Sequence, residues 1–546
     1  MAFRRYLKTA IIAFAACGVL ALWLLVLRPY LINGFWDDDA LSSVVRGEVG
    51  RSQTTLAAFI QLVNSDWIRN AGRFFPVALV IDYSGFYFIR PLEYFRFYQV
   101  SLVLLNVALF GCLLRRMGAG RAFSGLVCLS LLGSFQVHRH YDPVGSYAPL
   151  MQTTGILFSL ACLPLTDLGT GRVWLKLLVS AFFAFACLLN YEVGLVFLPV
   201  YLYLILSQRR DWKLALPLGS VSMAYLAIVL YCRHRALSMY PGIRVGTFLG
   251  FIDTFFKQLT ASLPLISYLG VLHRDPKMIR AISETFLRPE SWLIFLACAA
   301  LFFALLRRVG TQKAPRPVLV TAAILAVGPS FLVGASGKCQ AELDWSVGYL
   351  PVYLSYFGTA ILLAHWLAHW ICRRRRTGRT LLLISMGLAW VVALTQTINL
   401  RVAASLDEGQ QFPRFALETA LENGLFSGLR DGDRVTTNFE YAWASSAFIY
   451  EHSGKRVFIV GHPDYSYDAK SPSADTPLYA LRLDVQPDGG WRAELSDARS
   501  NRVAIMEQAG SPPSGMSERS FHLFWLRALY HPQLPKRLFM AQGTHK

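Results

Sequence analysis

The sequence predicts an α-helical polytopic membrane protein of about eleven transmembrane helices, N-terminus in and C-terminus out, with a small C-terminal extracytoplasmic α/β domain. The 546 residues are 54% hydrophobic and only 16% charged, whereas soluble proteins carry about 25% charged residues. Apolar runs of transmembrane length recur through most of the chain. The net charge of +19 is concentrated between those runs, where basic residues set topology. An ordinary soluble enzyme and a disordered chain are therefore excluded.

The predicted spans follow the apolar runs in chain order. The first run continues into Arg28 and Pro29 without a small-residue cleavage site, so we interpret it as an uncleaved anchor and not a signal peptide. The runs are 9–27, 97–114, 122–137, 150–165, 174–189, 193–207, 214–232, 291–306, 318–336, 347–371 and 380–399.

The short loops determine the predicted orientation. With the N-terminus in the cytoplasm, the short outer loops hold Arg139 and Lys338 as their basic residues, and the short inner loops hold clusters of Arg and Lys. Because topology follows this bias, the basic charge orients the chain and predicts no nucleic-acid partner. The basic inner loops are 115–121, 172–176, 209–213, 307–316 and 373–379.

Three long segments are predicted outside the membrane: 28–96, 233–290 and 400–546. The chain thus divides into a transmembrane domain, 1–399, and a soluble domain, 400–546. Residues 233–290 are apolar but interrupted by polar residues and proline, which predicts a re-entrant or interfacial helix pair, or a pair of spans. In the tail, a helix is predicted over 412–426. Extended runs separated by Gly and Pro clusters predict strands at 456–460, 478–485, 491–495, 502–506 and 521–526.

Three consecutive carboxylates, Asp37, Asp38 and Asp39, follow the first predicted span on the outer side. Like charges near lipid repel one another, and partial desolvation disfavours their ionisation. A proton-transfer role or a bound cation would offset that cost, so one Asp is a candidate general base and another a candidate ligand of a divalent cation. The alternative is an acidic N-terminal turn of an interfacial helix.

The same outer segment carries candidate phosphate ligands. Guanidinium groups match phosphate geometry, and Arg73 follows a glycine that allows close backbone approach, so it is the first choice, with Arg69 beside it. For Arg90 and Arg96 we favour anchoring to lipid head groups.

The other outer loops add five candidates for substrate binding. His138, Arg139 and His140 form one group at a membrane exit, where an imidazole can ligate metal or orient a phosphate. Glu192 and Lys338 lie in polar insertions between apolar runs, and an ionisable group next to lipid is a functional candidate.

The layout resembles the GT-C class of integral-membrane glycosyltransferases. Asp38-Asp39-Ala40 stands where that class carries its acidic motif, and Gly72-Arg73-Phe74-Phe75-Pro76 is similar to an element of the bacterial O-antigen glucosyltransferase-like subgroup. The resemblance implies a polyprenyl-phosphate-linked sugar donor used with inversion on the outer face. It also implies that Asp38 is the catalytic carboxylate, with Asp37 or Asp39 as its partner. In this class a divalent cation, Mg²⁺ or Mn²⁺, is optional, and no nucleotide cofactor is needed.

We therefore predict a glycosyltransferase of the bacterial inner membrane with its active site on the periplasmic face. Its predicted partners are the lipid-linked donor, a glycan or lipid-linked acceptor of the cell envelope, and membrane lipids. Two alternatives stay open at this point: an O-antigen ligase or polymerase using arginines of 233–290, and a transporter or flippase. A transporter predicts ionisable groups at mid-membrane, whereas most charges here lie at span ends.

Overall fold

The structure is a computed structural model, and most of the chain is helical. The described residues are 2–32, 34, 37–89, 92–137, 142–162, 173–209, 213, 215–238, 240–269, 277–309, 314–345, 347–373, 377–406, 412–438, 445–460, 476–485, 491–497, 502–508 and 539–541.

The helices are numbered here in chain order. They are α1 Ala2–Val26, α2 Arg28–Ile32, α3 Asp37–Ser42, α4 Val45–Arg51, α5 Leu56–Asp66, α6 Pro76–Phe88, α7 Leu92–Arg116, α8 Arg121–Leu131, α9 Ala148–Cys162, α10 Val173–Asn190, α11 Gly194–Leu204, α12 Ala215–Arg235, α13 Phe248–Ala261, α14 Lys277–Phe286, α15 Pro289–Val309, α16 Arg316–Ala335, α17 Gly337–Glu342, α18 Val352–Arg373, α19 Gly378–Leu406, α20 Phe412–Glu422 and α21 Ser446–Ser453. π-helical turns extend α5 over Trp67–Ala71 and α11 over Ile205–Arg209.

The chain forms two compact units. The first comprises Met1–Leu31, Asp66–Ala78 and Phe97–Ala403, and the second comprises Ile32–Ser65, Leu79–Arg96 and Ala404–Lys546. The second unit thus combines two stretches of the first predicted outer segment with the C-terminal residues.

Each predicted transmembrane run contains a helix, and among the described residues five helices are long and apolar enough to cross a membrane. Several other runs form helices shorter than the roughly 20 residues that a span needs. The five are Tyr94–Arg116, Ala215–Arg235, Pro289–Val309, Arg316–Ala335 and Gly378–Ala404. Shorter apolar stretches are Phe14–Val26 within α1, Arg121–Leu131, Ala148–Cys162, Leu177–Asn190 within α10, and Gly194–Ser207. The run 347–371 forms α18, whose first half is buried inside the protein.

Buried amides join the helices of the first unit. Asn106 donates to the Met151 carbonyl at 2.9 Å and to the Tyr353 hydroxyl at 3.1 Å. Asn399 donates to the Phe135 carbonyl at 2.8 Å. Such bonds hold apolar helices together where water is absent, because an unpaired amide there is costly.

The described residues of the second predicted outer segment, 233–290, include α13 and α14, both too short to span a bilayer. In α13, with 14 residues, Thr247 caps the N-terminus through Gly250. The Gln258 side chain accepts from the Tyr349 N–H at 2.7 Å and donates to the Tyr349 carbonyl at 3.1 Å, which fixes α13 on the segment preceding α18. The helix α14 has 10 residues.

The second unit contains a six-stranded sheet of order β2-β1-β3-β4-β5-β6. The strand β1 is parallel to β2 and β3, and the remaining pairs are antiparallel. The strands are β1 Arg434–Thr437, β2 Phe458–Ile459, β3 Leu478–Val485, β4 Trp491–Asp497, β5 Arg502–Gln508 and β6 Phe539–Ala541.

The predicted strands at 478–485, 491–495 and 502–506 are confirmed, and that at 456–460 shrinks to two residues. The predicted helix over 412–426 ends at Glu422. The predicted strand at 521–526 lies outside the described residues. Three elements of the second unit, β1, β6 and α21, were not predicted. The strands β1 and β6 have four and three residues, too few to show an alternation of polar and apolar side chains.

The helix α4 packs closely on α21 within the second unit. A Cβ on Gly47 would collide with the Ala447 carbonyl, and one on Gly50 would lie 2.8 Å from the Tyr450 ring. Arg46 donates to the carbonyls of Tyr87 at 2.8 Å and Phe86 at 3.2 Å, and its guanidinium lies 3.4 Å from the Glu451 carboxylate. The missing side chain at residue 47 is therefore what lets these helices meet.

We expect Gly47→Ala to destabilise the second unit by about 1–3 kcal/mol, because the added methyl group meets backbone and not a flexible side chain. Thermal unfolding of the purified protein in detergent measures this. The control is Gly387→Ala in α19, where the added methyl group meets no atom within 4 Å. Equal unfolding midpoints of the two variants would contradict the close packing.

Candidate functional site

The three predicted aspartates open the short helix α3 in the second unit. Their place in its first turn is favourable, since carboxylates interact with the positive end of the helix dipole. The Asp38 side chain is exposed, whereas Asp39 is fully buried. The Asp37 side chain lies outside what the structure describes. Neighbouring carboxylates of one turn therefore have opposite environments.

Asp39 faces a buried arginine. An Arg96 guanidinium nitrogen lies 3.7 Å from an Asp39 carboxylate oxygen, and the two side chains are 1% and 0% exposed. The prediction that Arg96 anchors lipid head groups was wrong: its charge is buried in protein, where only an opposite charge makes burial tolerable. Arg90 lies outside the described residues. The Asp39–Arg96 pair holds α3 against the start of α7.

A fourth carboxylate, Asp82 on α6, lies near Asp38 in the same unit. Burial raises the pKa of Asp82 to about 7, a hydrogen bond from Ser42 opposes the rise, and the nearby charge of Asp38 adds to it. Ser42 ends α3, so this bond joins α3 to α6. A proton held by Asp82 near neutral pH allows Asp38 to ionise beside it without a second negative charge.

This proton makes stability depend on pH. Between about pH 4 and pH 7, folded Asp82 keeps a proton that the unfolded chain has lost, so stability falls as pH rises through this window and levels off above it. We expect Asp82→Asn, which keeps an acceptor for Ser42, to remove this loss. Unfolding midpoints measured from pH 4.5 to 8.5 check the prediction, and the variant should gain on the wild type as pH rises. Parallel curves for the two proteins would refute it.

Arg73 and Glu192 meet in the first unit. The Arg73 guanidinium donates to Glu192 oxygens at 3.0, 3.1 and 3.3 Å, through Nη2 twice and Nε once. Gly72 has a φ of +67°, and a Cβ there would lie 3.2 Å from the Arg233 backbone. The close backbone approach that was expected before Arg73 therefore occurs between Gly72 and α12.

An aromatic cage surrounds the same guanidinium. Its carbon lies 4.6 Å from the Phe75 ring centre, 5.0 Å from Tyr240 and 5.7 Å from Trp67, within the range of cation–π attraction. On Tyr240, the Lys338 ammonium donates to the hydroxyl at 3.1 Å. Two cations predicted from separate loops thus share one tyrosine.

The structure brings together Arg73, Glu192 and Lys338, and separately places Asp38 near Asp82 and Asp39 against Arg96. Arg69 is exposed, and its carbonyl accepts the Leu237 N–H at 2.7 Å. The remaining predicted site residues, His138, Arg139 and His140, lie outside the described residues. The roles predicted for all of these residues stay predictions.

Asp82 and Tyr240 were not among the predicted site residues. Asp82 stands alone after the apolar stretch Val77–Ile81, and an isolated carboxylate in an apolar run is a signal that could have found it. Tyr240 carries no comparable signal, because many aromatic residues of this chain lie in outer segments.

Comparisons with known proteins find solved structures that are similar at low sequence identity. No family model matches the chain, and no curated protein matches it. Among solved structures, the chain is similar to ArnT from Cupriavidus metallidurans bound to undecaprenyl phosphate, with 14% identity and a TM-score of 0.46, covering 87% of this chain and 93% of that chain. It is also similar to ArnT of the same organism in the apo state, with 14% identity and a TM-score of 0.40, covering 88% and 94%. Likenesses this distant carry no inference about activity.

Proposed function

We propose that this chain is a membrane glycosyltransferase that moves a sugar from a polyprenyl-phosphate-linked donor to a glycan or lipid acceptor of the bacterial cell envelope. The reaction takes place on the periplasmic face of the inner membrane, by an enzyme of GT-C type similar to the O-antigen glucosyltransferase-like subgroup. The observation that carries the proposal is the aspartate arrangement of the second unit. An exposed Asp38 stands next to a protonatable Asp82, on a helix held in place by the buried Asp39–Arg96 pair.

Asp38 is the proposed general base. Its carboxylate takes the proton of an acceptor hydroxyl while that oxygen bonds to the anomeric carbon of the donor. The bond from this carbon to the donor phosphate breaks, and polyprenyl phosphate leaves with the electron pair. Asp39 is a positioning residue, since its carboxylate is buried against Arg96. General base catalysis of this kind contributes roughly 10²–10⁴ in rate.

Arg73 and Lys338, in the first unit, are the proposed phosphate-binding residues. Phosphate is recognised by guanidinium forks and by lysine as a point charge. Because Glu192 already binds the Arg73 guanidinium, an incoming phosphate either replaces Glu192 there or is bound by Lys338 across Tyr240. Lys338 is also 3.8 Å from Glu342, so both cations have a neighbouring carboxylate.

A divalent cation, Mg²⁺ or Mn²⁺, remains part of the proposal as an option. Carboxylate oxygens such as those of Asp38 are ligands that these ions take. The proton transfer and the departure of the phosphate described above use the chain's own side chains.

The test is a transfer assay with the purified chain in lipid nanodiscs. Membrane lipids from a strain lacking the protein supply polyprenyl-phosphate-linked sugars, and polyprenyl phosphate release is measured by mass spectrometry. We expect release of the lipid phosphate together with glycosylation of an acceptor. Consumption of lipid-linked oligosaccharide in place of monosaccharide would instead identify a ligase or polymerase. Movement of a lipid without bond cleavage would identify a flippase.

A further inference from the structure

A group of metal-ligating side chains lies in the second unit, away from the aspartates of α3. Glu418 and Glu422 occupy successive turns of α20, and His452 lies near the end of α21. One ligand atom from each of the three lies within 4.8 Å of the others. His452 Nδ1 is 3.3 Å from a Glu422 oxygen and 3.9 Å from a Glu418 oxygen.

These distances suit one small cation. Zinc binds imidazole nitrogen and carboxylate oxygen at about 2.0–2.2 Å, which places neighbouring ligand atoms of a tetrahedral site about 3.3–3.5 Å apart. The His452–Glu422 distance already has this value. The Glu418 oxygen, 3.9 Å from His452 Nδ1 and within 4.8 Å of the Glu422 ligand atom, moves inward to complete the set. Mg²⁺ and Ca²⁺ favour oxygen ligands, so a nitrogen ligand favours zinc over both.

The scaffold orients the ligands before any ion binds. The His452 ring packs on Phe448, with ring centres 4.6 Å apart, and Phe448 is buried. Ser445 caps α21 by accepting the Phe448 N–H. The two glutamates are four residues apart on one helix, so they face the same side. The Glu422 side chain is 54% exposed, which leaves an open approach for an ion and for a water as fourth ligand.

The charges of the three side chains favour a divalent cation, and a neighbouring arginine opposes its binding. Two carboxylates and a neutral imidazole carry a formal charge of −2, which Zn²⁺ neutralises. Arg414 lies 3.8 Å from Glu418 and competes with an ion for that carboxylate. Removal of the Arg414 charge is therefore expected to strengthen zinc binding.

We propose that Glu418, Glu422 and His452 form a zinc site that ties α20 to α21. The site belongs to the C-terminal part of the second unit and does not depend on the proposed transferase activity. A bound ion replaces the His452–glutamate contacts with coordinate bonds and holds the two helices at one separation.

The test uses the full chain in detergent, without a polyhistidine tag. Zinc is added and excess is removed, and bound zinc is counted by mass spectrometry of the metal. Affinity is then measured by competition with a fluorescent chelator. We expect about one zinc per chain, with affinity reduced at least about thirtyfold in His452→Gln and in Glu422→Gln. Arg414→Gln is expected to bind zinc more tightly than the wild type.

The matched control is Glu284→Gln, which neutralises an exposed helical glutamate of the first unit, paired with Arg280 at i,i+4. It should bind zinc like the wild type. Circular dichroism spectra equal to the wild type show that the variants are folded. The tightening in Arg414→Gln is a gain that misfolding cannot produce. An absence of bound zinc in the wild type, or zinc retained by His452→Gln with unchanged affinity, overturns the proposal.

Discussion

Asp38→Asn is expected to lower sugar transfer about a thousandfold while the protein remains folded. The amide keeps the shape of the side chain but cannot take the proton of an acceptor hydroxyl, and loss of general base catalysis costs roughly 10²–10⁴ in rate. Folding should be unaffected because the Asp38 side chain is exposed. Initial rates of polyprenyl phosphate release in nanodiscs measure the effect.

The matched control for this variant is Asp66→Asn, another carboxylate of the predicted outer segment 28–96, which binds Asn70 through its side chain at 2.5 Å. It should transfer sugar at the wild-type rate. If Asp38→Asn keeps full activity at normal expression, Asp38 is not the base. If Asp37→Asn alone loses activity, the base is Asp37.

Removal of either member of the Asp39–Arg96 pair should destabilise the second unit by about 3–5 kcal/mol, because the remaining buried charge loses the opposite charge beside it. Both side chains are almost inaccessible to solvent, so water cannot take the place of the lost partner. Asp39→Leu and Arg96→Met are the variants, and thermal unfolding in detergent is the measurement. Activity should fall with the folded fraction.

The double variant Asp39→Leu/Arg96→Met is the decisive comparison. Replacement of both charges by apolar groups is often neutral or stabilising, so the double variant should be more stable than either single variant. Glu284→Gln again serves as control, since its pair with Arg280 is exposed and should contribute little. Single variants as stable as this control would refute a buried ion pair.

The helices could be predicted because lipid imposes a simple rule. An apolar run that is long enough to cross a membrane predicts a helix, and every such run here contains one. The number of helices that span a membrane is harder to read, since burial in protein and burial in lipid select the same residues. The run that forms α18 illustrates this, because much of that helix is buried by other helices.

Two residues of the candidate site, Arg73 and Glu192, could be predicted from the sequence, although their contact could not. Arg73 was selected because it follows a glycine that allows close backbone approach, and Glu192 because an ionisable group next to lipid is a functional candidate. The structure pairs them at 3.0 Å. The pairing itself joins residues 119 positions apart, and no local pattern encodes such a distance. Glu418 and His452 were not selected, since neither stands in an apolar run.

The sequence by itself determined that this protein is helical, that most of its helices are apolar enough for a membrane environment, and that three acidic residues lie early in a basic chain. These properties follow from composition and local periodicity, which each segment carries alone. Only the tertiary structure decided that Asp38 is exposed while Asp39 is buried against Arg96, and that Asp82 lies near Asp38. The reason is physical: adjacent side chains of one helix point in different directions, and their environments come from residues distant in the chain.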